Sequence, residues 1–357
     1  LEHGEQQMKR HLIPSLIVGL SALALVACST GSTGSTGATA PASAATAAPA
    51  NTGGTLAGKK VLYVDALPGN ALLDGLAQGL AAELTKQGAK VARVFQLNAQ
   101  NQIDLAAANQ RINEGIAQGV DAIVTFPLDA NAIRPGVDAA TKAGIPIFTF
   151  QALGGLDVTG KVRFPDEARG EATGKGVAAL AGGTGEATVM SGQPTDNVEA
   201  AVRGAVKGLT AGGMTMVGDP NNQRNLKDDA PEAQRIAMTI FQKNPNLRVL
   251  VVYNSASATG AIAAAQQAGV ADKVLIATMA GEDTNVEQVK KGTLALTYDL
   301  NGLDYGKVMG QMVAKSLSGT KLTNEVVDAP TGTIYTKDNV GTYIPWSQRL
   351  TYADIPS

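Results

Sequence analysis

The stretch Asp121-Ala-Ile-Val-Thr-Phe-Pro127 decides the fold. It is a short apolar run without helical period, entered from Gly119 and stopped by Pro127. That pattern reads as a strand buried on both faces, as in parallel sheets. A helical pattern follows over residues 130–142, then a second apolar run, Ile145-Pro-Ile-Phe-Thr-Phe150. Residues 247–270 repeat the theme: Leu-Arg-Val-Leu-Val-Val-Tyr-Asn254, a helix of small residues from Ala256, then Ala268-Gly269-Val270. In open α/β sheets, ligands sit beyond the carboxyl ends of the strands. Phe126 and Asn254 occupy such positions, one per half. The expectation is a cleft between two similar lobes, with a ligand held by strand-end loops.

Outward from these runs, strand and helix patterns alternate. Strands are predicted over residues 60–65, 90–95, near 162, 186–191, 214–218, 273–278, 294–299 and 331–335. Helices are predicted over 71–87, 103–118, 167–181, 231–243 and 303–317, with others after residues 197, 256 and 278. Strict alternation argues for two doubly wound parallel-sheet lobes, an α/β fold.

The start of the chain points to a compartment. Lys9-Arg10-His11 form a positive segment, residues 12–27 an apolar run, and Leu25-Val-Ala-Cys28 closes it. A spanning helix needs about 20 apolar residues, so this run is short for a span and right for a signal peptide. Residues 1–7 read as an upstream extension, with Met8 the better start. Residues 1–28 are thus expected to be leader and signal. Residues 29–58, nearly all Ser, Thr, Gly, Ala and Pro, lack the apolar bulk for a core and read as a flexible tether.

Composition excludes more than it assigns. The formal net charge is −2, which leaves no basic footprint for nucleic acid. Both histidines, His3 and His11, lie in the leader, and Cys28 is the single cysteine. The body therefore cannot carry Ser-His-Asp or Cys-His catalysis, Cys/His zinc sites or an internal disulfide. No cofactor, no metal and no enzymatic activity are expected. A carboxylate-based hydrolase would need two facing acids, and Asp65 and Asp299 are the only strand-end carboxylates to watch.

Three motifs carry little. Residues 155–161 nearly spell a phosphate loop, but Val162 replaces the Ser or Thr and a strand follows. Gly174-Lys-Gly176 lies inside a helix and reads as close packing. Asp228-Asp229 reads as a solvated turn and N-cap before Pro231. The strand-end residues are the better signal: Asn70, Phe126, Gln151, Asn254 and Met279 each follow a predicted strand, and Asp196 and Asn197 lie in another such loop.

Taken together, these segments resemble the periplasmic sugar-binding proteins of the ribose-binding type. The residues that carry the resemblance are Lys59-Lys-Val-Leu-Tyr-Val-Asp65, residues 119–133, Ala143-Gly-Ile-Pro-Ile-Phe-Thr-Phe150, residues 244–269 and residues 290–306. The resemblance implies two lobes joined by three crossover strands, near residues 162–166, 299–302 and 329–333. It divides the body into 59–163 plus 301–329, and 164–300 plus 330–357. It also implies that Cys28 is lipidated after signal cleavage, which anchors a monomeric receptor to the cell membrane outside the cytoplasm, in the periplasm or at the cell surface. In the family's pocket, paired aromatic rings follow the first strand, where Ala71 and Leu72 stand here. Gln151-Ala152 replace an Asp-Arg pair. Ala201 stands at an Arg position with Arg203 a turn away, and Met279-Ala280 stand at an Asp position. Only Asn254 is kept, so it is expected to be the strongest contact, helped by Gln151 and the apolar wall of Phe126. Asn301 lies at a hinge. By resemblance, the chain is a solute receptor that hands a sugar or related polyol to an ATP-driven importer, a permease with its ATPase. The alternative on the same fold is a sensory receptor, for chemotaxis or a signalling furanone.

Overall fold

The computed structural model describes residues 55–350. The leader, Cys28 and residues 29–54 of the tether lie outside the described residues. The first half runs β1 (Lys60–Asp65), α1 (Ala71–Thr85), β2 (Lys90–Phe95), α2 (Leu105–Ala117), β3 (Ala122–Thr125), α3 (Ala130–Lys142), β4 (Ile147–Phe150) and β5 (Gly160–Arg163). The second half runs α4 (Asp166–Leu180), β6 (Glu186–Met190), α5 (Asp196–Ala211), β7 (Thr215–Met216), α6 (Ala230–Lys243), β8 (Leu247–Val252), α7 (Ser255–Gln267), β9 (Leu275–Thr278), α8 (Asp283–Lys291) and β10 (Leu296–Asp299). Then α9 (Gly302–Leu317) and β11 (Glu325–Asp328) return to the first half, and β12 (Thr333–Thr336) and α10 (Trp346–Arg349) to the second.

The strands form two six-stranded sheets, ordered β11-β5-β4-β3-β1-β2 and β12-β10-β9-β8-β6-β7. Advancing each of the first five strand numbers by five turns one order into the other, so the lobes are internal copies. The organising strand β3 is flanked by β1 and β4, all parallel, and its four residues are buried. Burial on both faces is why the run shows no alternation. The chain passes between sheets three times: from β5 into α4, from β10 into α9, and from β11 into β12.

Three details differ from expectation. β12 pairs antiparallel with β10, because a direct β11–β12 connection has no crossover helix to restore direction. β11 has no counterpart in the predicted strands, because Glu325-Val-Val-Asp328 is an edge strand with little burial. The tether boundary falls earlier than residue 58: Leu56 is 1% exposed in the first lobe's core, and its amide donates to the Gln87 carbonyl at 2.9 Å. A buried Leu contributes about 1.5–3 kcal/mol, which favours seating this residue on the lobe although its neighbours are small.

Each helix that leaves a crossover packs on the first helix of its new lobe, α4 on α5 and α9 on α1. Contact is backbone to backbone. A Cβ at Gly79 would stand 2.1 Å from the Leu303 carbonyl oxygen, and one at Gly204 would stand 2.0 Å from that of Glu167. Only glycine admits that approach. It also accounts for Gly174, which packs against α5 as expected, while Asp229 caps α6 through the Glu232 amide at 2.7 Å.

Candidate functional site

The internal copying places the same frame at the strand ends twice. Each frame has four parts: the loop after the fourth strand, the last residue of the fifth, the helix beyond the crossover, and the first turns of the facing lobe's first helix. In one frame these are Gln151–Leu153, Arg163, the start of α4, and Asp196, Asn197 and Ala200 on α5. They enclose a cavity of about 570 Å³, completed by Phe164, Pro165 and residues 328, 329 and 331.

The cavity wall is held from behind. Arg169 is 4% exposed; Asp166 pairs with it at 2.8 Å. Its guanidinium donates to the Met279 carbonyl at 2.9 Å and to the Tyr253 hydroxyl at 3.2 Å. Burial works against this cation, but Tyr253 and Asp166 beside it keep it charged and raise its pKa. Burial pushes Asp166 upward in turn, and Arg169 opposes that. The Asn197 side chain donates to the same Tyr253 hydroxyl at 2.9 Å, which fixes its amide at the cavity edge. Phe164 packs against Tyr305, Phe126 and Phe150, with ring centroids 4.9, 6.3 and 6.5 Å away. Carboxylates outnumber cations in the lining, Asp166, Glu167, Asp196 and Asp328 against Arg163, but three of the four have a guanidinium partner: Asp328 binds Arg163 at 2.6 and 3.0 Å, Asp166 pairs with Arg169 behind the wall, and Glu167 with Arg203 at 3.6 Å.

The second frame consists of the Met279–Gly281 loop, Asp299, the start of α9, and the first turns of α1. It is filled by the chain's own residues 343–350. The Trp346 ring lies on Gly75, where a Cβ would stand 2.8 Å from it, and its indole Nε1 donates to the Gly281 carbonyl at 3.3 Å. Arg349 pairs with Asp299 at 2.7 Å and lies over the rings of Trp346 and Tyr343 at 4.5 and 4.9 Å.

Of the residues predicted from sequence, the cavity gathers Gln151, Asp196 and Asn197. Gln151 holds a left-handed φ of 73°, which turns the chain at the wall. Phe126 stands behind the wall, against Phe164. Asn70 caps α1, accepting from the Leu73 amide at 3.1 Å, and Leu72 packs on the first core. Asn254 uses both ends of its amide on protein: it accepts from the Ser257 amide and donates to Asp228, each at 2.9 Å. The Met279 side chain is fully buried. Arg203 lies on a separate shallow depression with Lys207 and approaches the cavity only through Glu167, at 3.6 Å. Asn301 sits in the β10–α9 connection with φ 44°, and its amide donates to Asp304. The two carboxylates watched as acids do not face one another. Asp65 is buried against Arg93 at 2.6 Å, and Asp299 against Arg349. Burial raises Asp65 to about 6, with Arg93 opposing. Residues 163–167 and Ala200 also line the cavity, though they are not among the strand-end candidates. The signal that marks residues 163–167 is the Pro165-Asp166 helix start directly after a strand.

Two copied α/β lobes joined by three connections, with a cavity of mixed polar and apolar lining at the strand ends, define a class of receptor rather than of catalyst. The chain belongs to the periplasmic binding protein domain family, which it matches over residues 66–321. That family is an extracytoplasmic, non-enzymatic binding family, and no described helix is long and apolar enough to cross a membrane. Among curated relatives, the chain is 29% identical over 206 residues to a D-xylose-binding periplasmic protein of Haemophilus influenzae, an alignment covering 56% of this chain and 60% of that protein. It is 24% identical over 321 residues to the ribose import binding protein RbsB of Bacillus subtilis, covering 88% and 96%. Among solved structures, a periplasmic ribose ABC transporter protein from Conexibacter woesei superposes with a TM-score of 0.72 at 19% identity, covering 81% of this chain and 96% of that one.

Proposed function

We propose that the chain is a lipid-anchored receptor that binds a small neutral sugar or polyol in the cavity between its lobes and delivers it to the permease of an ATP-driven importer. The observation that carries this reading is the cavity lining, drawn from both lobes: Gln151 from one, Asp196 and Asn197 from the other. A ligand touching both sides favours the closed arrangement, and hinge bending at the three connections is the motion such folds use. Amide and carboxylate groups suit hydroxyls, which both donate and accept. Arg163, the one cation among the described lining residues, is already bound by Asp328, so a sugar acid or sugar phosphate would find no spare cation there. The relatives' names point to pentoses; Phe126 backs the cavity wall through Phe164, and Asn254, with both ends of its amide bonded, serves as a helix cap. Anchoring through Cys28 rests on the sequence alone, in which a positive segment, an apolar run and Leu25-Val-Ala-Cys28 follow one another.

Calorimetric titration with D-ribose, D-xylose, xylitol and myo-inositol, against D-glucuronate and D-ribose 5-phosphate, tests the reading. At least one neutral compound is expected to bind, and Asn197→Ala is expected to weaken it about 5- to 150-fold, the cost of an unpaired buried hydroxyl. Tighter binding of the anions, or an unchanged affinity in Asn197→Ala, sinks the assignment of this cavity.

A further inference from the structure

Residues 343–350 make contacts that ordinary tail packing does not require. They touch both lobes and one of the three connections at once. On the second lobe, the Trp346 amide donates to Asp283 at 3.2 Å, Tyr343 donates to the same carboxylate, and the indole donates to Gly281. On the first lobe, the indole ring rests on Gly75 of α1, and Ala71 at the start of that helix packs against the second lobe's core cluster. At the connection, Arg349 binds Asp299, the last residue of β10 before the chain crosses into α9. Gly302, on the far side of that crossing, lies 3.2 Å from the point where a Gly75 Cβ would be. Trp346 is 4% exposed. Any rotation of one lobe about the β10–α9 connection must slide Gly75 across the indole or draw Gly281 away from its donor.

We infer that Trp346 and Arg349 are positioning residues for lobe closure: the carboxyl-terminal segment braces the β10–α9 connection and sets the angle at which the lobes rest. Two of the connections, at residues 163–166 and 328–331, run along the open cavity, but among the described residues no further segment is seated across that frame, while movement at the filled frame must also break the buried contacts of Trp346 and Arg349. This rests on the reading of the protein as a two-lobed receptor that closes on its ligand, but not on knowing the ligand.

The experiment measures the distance between spin labels at Leu128→Cys and Leu226→Cys, exposed residues on opposite lobes, by double electron–electron resonance. It uses the full chain in a Cys28→Ser background without ligand. Trp346→Ala and Arg349→Met are each expected to broaden and shift the distribution. The ratio of resting to displaced populations should change by roughly 5- to 150-fold, the range typical of coupling between two elements. Arg349→Lys, which keeps a cation for Asp299, is expected to restore most of the parent distribution. Should Trp346→Ala fail to fold, Trp346→Phe keeps a ring but loses the bond to Gly281, and is expected to show part of the same broadening. An unchanged distribution in the folded variants overturns the brace. That result would leave sugar binding untouched, whereas a chain that answers to the brace but binds none of the compounds above loses the ligand assignment alone.

Discussion

The two strand-end frames share a backbone plan and end as opposites, one a cavity and the other a core. The fifth residue of α1 is Gly75 and the fifth of α5 is Ala200. The absence of a methyl at Gly75 lets an indole rest on the helix, while Ala200 keeps its methyl at the cavity wall. Arg163 ends β5 as Asp299 ends β10, and each has an ion partner. The first pair is 58% and 64% exposed, and the second 13% and 3%. A copied fold therefore does not dictate a binding site. What covers the frame decides whether it holds solvent or side chains.

The ion pairs should show the largest contrast. Arg349→Met leaves Asp299 buried without its cation, which is expected to cost about 3–5 kcal/mol at pH 8. Arg163→Met on the open frame is expected to cost about 0–1 kcal/mol, as exposed pairs do. The first effect carries a sign with pH. Burial already raises the Asp299 pKa, Arg349 opposes it, and removing Arg349 raises it further. A carboxyl whose folded pKa is raised contributes its stability below the unfolded value and loses it as pH climbs through the folded one. The deficit should therefore shrink from pH 8 toward pH 4, and urea melts at both values check it. A deficit independent of pH would mean that Asp299 gains water when its partner is removed.

Filling the open frame is the next test. Ala200→Trp puts on α5 the kind of ring that the other frame receives from Trp346. Sugar binding is expected to weaken tenfold or more, about 1.4 kcal/mol, while stability moves by roughly 1 kcal/mol or less because the ring enters existing space. An unchanged affinity would move the ligand out of this cavity.

The smallest effect separates a cap from a contact. With both ends of its amide already bonded, Asn254→Ala is expected to lower folding stability by about 1 kcal/mol and to leave affinity nearly alone. A fall in affinity at constant melting midpoint would instead place Asn254 on the ligand.

The fold was legible because buried parallel strands leave unmistakable traces. The β3 and β8 runs are continuous apolar stretches, and Gly88, Gly119 and Gly269 follow helices with φ values of 91°, 64° and 67° that glycine takes without strain. β11 left no such trace, since a half-exposed edge strand keeps its charges. The site was legible only in part. Strand ends can be counted along a chain, which recovered Gln151, Asp196 and Asn197. A strand-end position alone does not say whether a side chain turns outward, caps its own helix as Asn70 does, or sinks into the core as Met279 does. Nor could period or composition show that Tyr343-Ile-Pro-Trp-Ser-Gln-Arg349 folds back into one of two equivalent frames, because that contact joins residues far apart in sequence.

Trp346 is the only tryptophan in the chain. Its indole sits where lobe, lobe and connection meet, so near-ultraviolet emission from the unmodified protein comes from that joint and is not diluted by other indoles. The receptor carries its own optical gauge, and the polarity around a single ring can be followed in time without attaching a dye.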